Sequence, residues 1–127
     1  MLMNARTGEV VAADVEMADT REKRRRGLLG RPSMNPSSAL ILSPCFSIHT
    51  AFMQFPIDAV FVNREGIVVR VVRNLRPWRM AVSFRARAVV EFAGGRLGPR
   101  DMRDGDRLYL TAETQLPTTS MSWPMSA

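Results

Sequence analysis

The residue types best suited to chemistry are concentrated in one largely apolar segment, residues 45–58. It contains the only cysteine and the only histidine of the chain, Cys45 and His49, and it ends at the acid Asp58. An imidazole can lower the pKa of a thiol and accept its proton, so Cys45 and His49 could supply a thiolate nucleophile. Because we expect this segment to be extended, residues four apart would lie about 13 Å apart. A buried structural cysteine is therefore the favoured interpretation.

Two acids, Asp58 and Glu91, are each flanked by apolar residues in the sequence. Burial would raise the pKa of either carboxyl, as a general acid requires, so the pair could serve as the acid and base of a small hydrolase-like enzyme. The favoured alternative is that each carboxylate accepts hydrogen bonds from arginine or from backbone N–H groups where a strand ends. The acid–base hypothesis also requires the two residues to be close in space.

A metal site would require Cys45, His49, Asp58 and Glu91 to converge. One histidine, without the paired Cys-x-x-Cys or His-x-x-x-His spacing, is a weak signal for such a site. We therefore predict no metal site and no cofactor.

The chain is strongly basic, with 18 Lys and Arg against 12 Asp and Glu, and Lys23 is its only lysine. Arg24, Arg25 and Arg26 are the predicted polyanion-binding residues. Further along, arginines alternate with Trp78 and Phe84, and arginine beside aromatic rings is typical of single-stranded nucleic-acid binding. No recognition motif accompanies the charge, so a nucleic-acid partner is possible but not favoured.

The elements that must position these residues are mostly strands. We predict strands over residues 10–17, 39–42, 58–62, 67–73, 88–92 and 107–111, with a four-residue hairpin connection at 63–66. Residues 47–55 are predicted to be a strand or an irregular segment. Asp19 and Glu22 have the spacing of a capping box, which predicts a short helix over residues 20–29. The fold class is therefore mainly β, a single compact sandwich- or barrel-like sheet domain with one short N-terminal helix.

Domain limits and location follow from length and composition. A chain of 127 residues fits one domain, which we place at residues 1–114, with a Ser-, Thr- and Pro-rich tail at 115–127 predicted to be disordered. No apolar run approaches the roughly 20 residues of a transmembrane helix. The N-terminus lacks the apolar region of a signal peptide, so we expect a cytoplasmic protein.

Several motifs occur in a characteristic order along the chain. They are residues 18–22 followed by Gly27-Leu28-Leu29, then Pro56 to Val62, Pro77-Trp78, Val89 to Gly95, and Gly105-Asp106. Together they resemble domain-of-unknown-function family 192 of bacteria and archaea, over roughly Val10 to Leu110. The family pattern has Gly-Leu-Met where this chain has Gly27-Leu28-Leu29. It has a Trp-Met-Lys-Asn-Thr stretch where this chain has Ile48 to Met53, which is similar to an Ile-His-Thr branch.

The resemblance implies a compact, mainly β, sandwich-like domain and no established activity. His49 stands where relatives have Trp, so a family-wide role as catalytic base is not implied for it. Asp58 and Glu91 fall on matching motif positions and are the better site candidates. Many relatives resemble exported or membrane-anchored proteins, which the N-terminus of this chain does not support.

We therefore predict an uncharacterised β-domain that binds an unknown small molecule or protein partner at a polar site around Asp58 and Glu91. The predicted ligand-binding residues are His49, Thr50, Asp58, Trp78 and Glu91. The alternatives are the hydrolase-like enzyme with Asp58 and Glu91 as acid and base, and a basic domain that binds nucleic acid or another polyanion.

Overall fold

The computed structural model describes residues 1–112 and 120–121, and its secondary structure is mainly β. The strands are β1 (Leu2–Asn4), β2 (Glu9–Ala12), β3 (Asp14–Ala18), β4 (Ser38–Leu42), β5 (Ser47–His49), β6 (Ile57–Val62), β7 (Val68–Leu75), β8 (Met80–Val82), β9 (Ala88–Ala93), β10 (Leu108–Thr111) and β11 (Ser120–Met121). One helix, α1 (Arg21–Arg26), lies between β3 and β4. The predicted mainly β fold with a short N-terminal helix is confirmed.

The described strands form three sheets with open strand orders. A five-stranded sheet has the order β3-β4-β9-β6-β7, and a four-stranded sheet has the order β11-β10-β1-β2. Strands β5 and β8 form a separate antiparallel pair, which we call the ribbon. The five-stranded sheet is antiparallel except for the parallel pair β3 and β4. The sandwich-like prediction therefore holds, whereas these sheets do not close into a barrel.

The five-stranded sheet has an apolar cluster on each side. One side, the sandwich face, carries Ile41, Val60 and Val90, which pack in one cluster with residues of the four-stranded sheet such as Leu2 and Leu108. The other side, the helix face, carries alternate residues of the same strands. Its cluster contains Leu40, Leu42, Ala59, Phe61 and Val89, together with Leu28 after α1, Met53, and Ile48 and Ala81 of the ribbon. Every apolar face of the sheet is thereby covered, which burial of apolar area favours.

Helix α1 is shorter than predicted and begins one residue later. Its N-cap is Thr20 rather than Asp19, and the Thr20 hydroxyl accepts a hydrogen bond of 3.1 Å from the backbone N–H of Lys23. The helix ends at Gly27, whose φ of 47° turns the chain away. Five basic residues in six positions also make a longer helix unfavourable, since like charges one turn apart repel.

Two other predicted segments differ from the structure in their limits. The strand predicted over residues 10–17 is divided into β2 and β3, and the backbone N–H groups of Ala13 and Asp14 at the break both donate to the carbonyl of Ser37. Residues 47–55 were predicted to be a strand or an irregular segment, and they form a strand only as far as His49, because Phe52 adopts a φ of 64° in a turn. The short strands β1 and β8 were not predicted. The hairpin connection at 63–66 is confirmed, with Gly66 at a φ of 80°.

The C-terminal segment was predicted to be a disordered tail. Ser120–Met121 form β11, which pairs with β10, and the remaining residues of 115–127 lie outside the described part of the chain. The division into one domain at 1–114 stays a prediction. Within the described residues, no helix has both the length and the hydropathy needed to cross a membrane.

Candidate functional site

A cavity of about 300 Å³ lies between α1 and the helix face of the five-stranded sheet. Leucines and Met53 form its apolar walls, and one edge is closed by β5 of the ribbon. Its lining residues are Arg21, Arg24, Arg25, Arg26, Gly27, Leu28, Leu29, Leu42, Cys45, Ser47, Ile48, His49, Met53 and Glu91. The cavity thus combines arginines, an apolar wall and one buried acid.

Glu91 is the buried acid of this cavity. It lies on β9 opposite Leu40 of β4 and Ala59 of β6, so its side chain is on the helix face between two apolar neighbours. The residue is only 4% exposed, and no described residue forms a hydrogen bond with its carboxyl group. Burial raises the pKa of Glu91 to about 7, and the charge of Arg31 opposes this rise. Glu91 is therefore a buried polar group without a described partner.

Arg31 does not serve as the partner of Glu91. Its guanidinium group binds the carboxylate of Glu16 through two hydrogen bonds of 2.8 and 3.2 Å. This ion pair lowers the pKa of Glu16, chiefly through the hydrogen bond. The positive charge of Arg31 reaches Glu91 only at a distance, so the Glu91 carboxyl still lacks a hydrogen-bond donor.

The arginines of α1 have two different roles in the cavity. Arg24 is half-buried, and its guanidinium group donates to the carbonyls of Asp19 and Ser43 at 3.1 and 3.3 Å, which fixes it as part of the wall. Arg21, Arg25 and Arg26 are exposed, and among the described residues their guanidinium groups have no hydrogen-bond or ion-pair partner. These three cations can therefore bind an anionic group at the cavity mouth.

Cys45 and His49 line the same cavity, but the environment of Cys45 does not favour a nucleophile. The Cys45 thiol is half-buried and lies 3.2 Å from the carbonyl oxygen of Ser47, to which it donates. Burial raises the pKa of this thiol, whereas a reactive thiolate needs a lowered pKa. His49 is exposed on β5, where it pairs with Met80 of β8.

Asp58 lies away from the cavity, on the sandwich face. Its Oδ1 accepts hydrogen bonds from the backbone N–H groups of Asn74 and Gly95, at 2.8 and 3.1 Å, and its Oδ2 accepts one from Leu97 at 2.8 Å. The carboxylate therefore ties the end of β7 to the loop that follows β9. The acid–base pair proposed from the sequence is not formed, because Asp58 and Glu91 face opposite sides of one sheet.

Thr50 and Trp78 are placed at the end of the ribbon. Thr50 is fully buried, and its hydroxyl donates to the carbonyl of Arg76 and accepts from the backbone N–H of Arg79. Trp78 is exposed, with its ring against that of Phe52. Of the five predicted ligand-binding residues, only His49 and Glu91 line the cavity.

The cavity also joins two groups that the sequence analysis kept apart. The predicted polyanion-binding residues Arg24, Arg25 and Arg26 line the same space as Glu91. Sequence analysis missed the role of the leucine walls and of Arg21. The sequence offered one indication: in β9, side chains alternate between the two faces, so Glu91 lies on the opposite face from its buried neighbours Val90 and Phe92. Among the described residues, no group of three or more His, Cys, Asp and Glu side chains could hold a metal ion.

The fold and this cavity define a small, mainly β domain with a polar site between its helix and its central sheet. Residues 2–110 match the family described as Uncharacterized ACR, DUF192. The chain belongs to this family, which confirms the resemblance seen in its motifs.

Relatives agree with this assignment, and a solved structure has a similar fold. The chain is similar to the UPF0127 protein of Thermococcus sibiricus, at 40% identity over 86 residues, which are 65% of this chain and 55% of that protein. That match spans about half of the relative's length. UPF0127 protein PF1050 of Pyrococcus furiosus is 32% identical over 114 residues, or 84% of this chain and 95% of that protein. A solved protein of unknown function from Novosphingobium aromaticivorans has a TM-score of 0.74 and 21% identity, over 84% of this chain and 81% of that one. That likeness shows the fold.

Proposed function

We propose that this domain is a binding module that takes a small organic anion into the cavity between α1 and the helix face. One observation carries the proposal: Glu91 is buried at the cavity without a hydrogen-bond partner among the described residues. Buried polar side chains almost always have a hydrogen-bond partner. The Glu91 carboxyl borders the cavity, so the partner available to it is water or a bound molecule in that space.

The lining of the cavity indicates the chemistry of the ligand. Arg21, Arg25 and Arg26 at the mouth suit a carboxylate or phosphate group, since arginine binds both in a bidentate manner. The leucine and methionine walls suit a short apolar body. Glu91, with its pKa of about 7, can donate to a ligand oxygen when protonated or accept from a ligand N–H when ionised. A volume of about 300 Å³ is at the small end of ligand sites.

The two alternatives fare differently. The hydrolase-like mechanism loses its acid–base pair, because Asp58 is fully engaged with backbone N–H groups on the opposite face. Polyanion binding stays a second candidate, since Arg21, Arg25 and Arg26 of α1 are exposed and have no partner within the part of the chain that the structure describes. A polymer would bind at the cavity mouth only, independently of Glu91, and its affinity would fall steeply with salt.

Thermal unfolding in the presence of small anions tests the proposal. We would screen short-chain carboxylates and phosphate monoesters, each beside its uncharged amide or alcohol analogue, against the full chain. A ligand at 100 times its Kd stabilises the folded protein by about 2.7 kcal/mol, which raises the Tm by several degrees. The shift should require the anionic group, and it should be lost in Arg25→Ala/Arg26→Ala and reduced in Glu91→Gln.

Matched controls separate a site from general charge effects. Arg64→Ala/Arg103→Ala removes two exposed arginines far from the cavity and should retain the full shift. A panel that leaves the Tm unchanged, or a shift that is equal in wild type and Glu91→Gln, would contradict the proposal. Binding of oligonucleotides that depends on Arg25 and Arg26 but not on Glu91 would support the polyanion candidate instead.

A further inference from the structure

The ribbon has a covered side and an open side. Ile48 of β5 and Ala81 of β8 are paired and buried in the cluster on the helix face. The alternate residues of the two strands, which include His49 paired with Met80, point away from that cluster. His49 and Met80 are exposed on this outer side, and Ser47 and His49 also line the edge of the cavity beside α1.

Exposed apolar side chains are concentrated on this ribbon. Of the six large apolar side chains that are exposed among the described residues, five lie on it or at its ends. They are Phe46, Phe52, Trp78, Met80 and Phe84. An apolar surface of this kind on a domain of this size marks an interaction site.

The aromatic residues form one pair at each end of the ribbon. Phe46 and Phe84 have ring centroids 5.6 Å apart, and Phe52 and Trp78 have centroids 4.5 Å apart in an edge-on arrangement. Met80 lies between the pairs. Since residues 46 and 52 are six positions apart, the two pairs are separated by at most about 20 Å. The two pairs are therefore close enough for one surface to reach both.

The backbone at one end is held in an uncommon conformation. Phe52 and Trp78 have φ values of 64° and 65°, in the left-handed region that bulky residues rarely adopt. The buried hydroxyl of Thr50 holds this turn through Arg76 and Arg79. The fold thus fixes a strained turn that presents two aromatic rings to solvent, and strain of this kind is typical of functional sites.

The charged residues of the segments that form the ribbon are all basic. The two segments that form it, residues 43–55 and 75–87, contain no Asp or Glu and include Arg76, Arg79, Arg85 and Arg87. The first three of these arginines are exposed. The partner of this surface must therefore be anionic and must accept several apolar side chains.

We propose that the ribbon docks, through the exposed apolar side chains on it and at its ends, on the surface of an anionic lipid bilayer. Aromatic and methionine side chains would enter the interfacial region, and the arginines would bind anionic headgroups. Single-stranded nucleic acid shares the charge requirement, but bases stack on open ring faces, and each of the four rings here contacts another ring. Phe84 is 85% exposed and Phe52 is 73% exposed, and each contacts another ring. Each ring pair therefore presents an apolar surface that can enter the bilayer interface.

Vesicle cosedimentation of the full chain tests this inference. The two vesicle types would be pure phosphatidylcholine and phosphatidylcholine with roughly 30% phosphatidylglycerol, at low and physiological salt. We expect binding to the anionic vesicles only. Phe52→Ser/Trp78→Ser should weaken this binding by about tenfold or more, since two apolar side chains that would enter the bilayer are lost. Val10→Ser, at the exposed apolar position on another sheet, should leave binding unchanged.

The contribution of the arginines to vesicle binding is tested with a matched pair of double variants. Arg76→Gln/Arg79→Gln should weaken binding, whereas Arg64→Gln/Arg103→Gln, with the same loss of net charge elsewhere, should weaken it much less. In a Trp123→Phe background, the fluorescence of Trp78 should shift to shorter wavelength on vesicle binding, because the indole leaves water. Circular dichroism confirms that each variant is folded.

Three outcomes would overturn the inference. One is the absence of binding to anionic vesicles at low salt. Another is binding that the Phe52→Ser/Trp78→Ser change does not affect, which shows adsorption by net charge alone. The third is binding of single-stranded oligonucleotides that depends on the aromatic residues when vesicle binding does not, which would assign the ribbon to nucleic acid. None of these outcomes involves Glu91, so the cavity proposal is tested separately.

Discussion

Asp58 and Glu91 lie on adjacent strands, one register step apart, and face opposite sides of the same sheet. Asp58 is paired with Phe92 and Glu91 with Ala59, so the two carboxyl groups are separated by the sheet itself. Asp58 accepts three backbone hydrogen bonds on the sandwich face, whereas Glu91 accepts none from the described residues on the helix face. Two acids that look alike in the sequence therefore have different surroundings: Asp58 joins three backbone N–H groups, and Glu91 borders the cavity.

The raised pKa of Glu91 predicts that stability falls as pH rises. The pKa is about 7 in the folded protein and about 4.5 in the unfolded chain. Between these values the folded state keeps a proton that the unfolded state has lost, so the free energy of unfolding decreases through this window. The decrease is on the order of 3 kcal/mol in total and levels off above about pH 7.

Glu91→Gln should remove this pH dependence, because an amide does not ionise. Urea unfolding at about pH 5 and about pH 8 should show the variant close to wild type at the lower pH and more stable than wild type at the higher one. Glu65→Gln, in the exposed hairpin turn, is the control, and its free energy of unfolding should change with pH as that of wild type does. Parallel curves for Glu91→Gln as well would show that Glu91 is ionised without cost in the folded protein.

Asp58→Asn should destabilise the protein at all pH values near neutrality. One terminal oxygen becomes an NH₂ group, which then faces a backbone N–H donor such as that of Leu97 instead of accepting from it. The expected loss is about 2–4 kcal/mol in the free energy of unfolding, measured from the urea midpoint. Asp104→Asn, an exposed acid in the turn before β10, should cost little. A loss for Asp58→Asn as small as that of the control would contradict the structural role.

The sequence was sufficient for the sheet elements because their apolar runs and turn residues are local signals. Strands β6 and β9 and the hairpin at 63–66 were predicted nearly as they are. The relation of Asp58 to Glu91 could not be predicted in this way. Residues 57–62 are buried on both faces of the sheet, so their apolar pattern does not show which residues face the same side. The antiparallel register with β9 decides on which face each acid lies.

The cavity was also beyond the reach of local patterns. It is formed where α1 lies over β9, about 65 residues further along the chain, and where β5 closes one edge. Such contacts depend on tertiary packing. The ribbon is a similar case, since its strands have only three residues each and β8 has no clear alternation in the sequence.

The N-cap of α1 provides a test of the helix boundary that the sequence placed one residue too early. Thr20→Ala should cost about 1 kcal/mol, because the hydroxyl that accepts from the N–H of Lys23 is lost. Thr20→Ser retains the acceptor and should cost much less. Asp19→Ala should cost only a few tenths of a kcal/mol, from the weaker interaction of its charge with the helix N-terminus. Chemical unfolding of the three variants distinguishes the two N-cap assignments. A larger loss in the free energy of unfolding for Asp19→Ala than for Thr20→Ala would show that Asp19 is the N-cap.

Cys45 reports on the cavity through its reactivity. Burial raises the pKa of its thiol, and the charge of Glu91 adds to the rise, so iodoacetamide should react more slowly with Cys45 at about pH 7.5 than with free cysteine. Glu91→Gln removes the neighbouring negative charge and should speed the reaction, by less than about tenfold if the pKa falls by under one unit. A ligand in the cavity should slow the reaction in wild type, because Cys45 lines the same space as Glu91. Mass spectrometry of the alkylated protein gives each rate, and Cys45→Ser supplies the blank, since the chain has no other cysteine.

A rate equal to that of free cysteine, in wild type and in Glu91→Gln alike, would show that the Cys45 thiol is open to solvent and unaffected by Glu91.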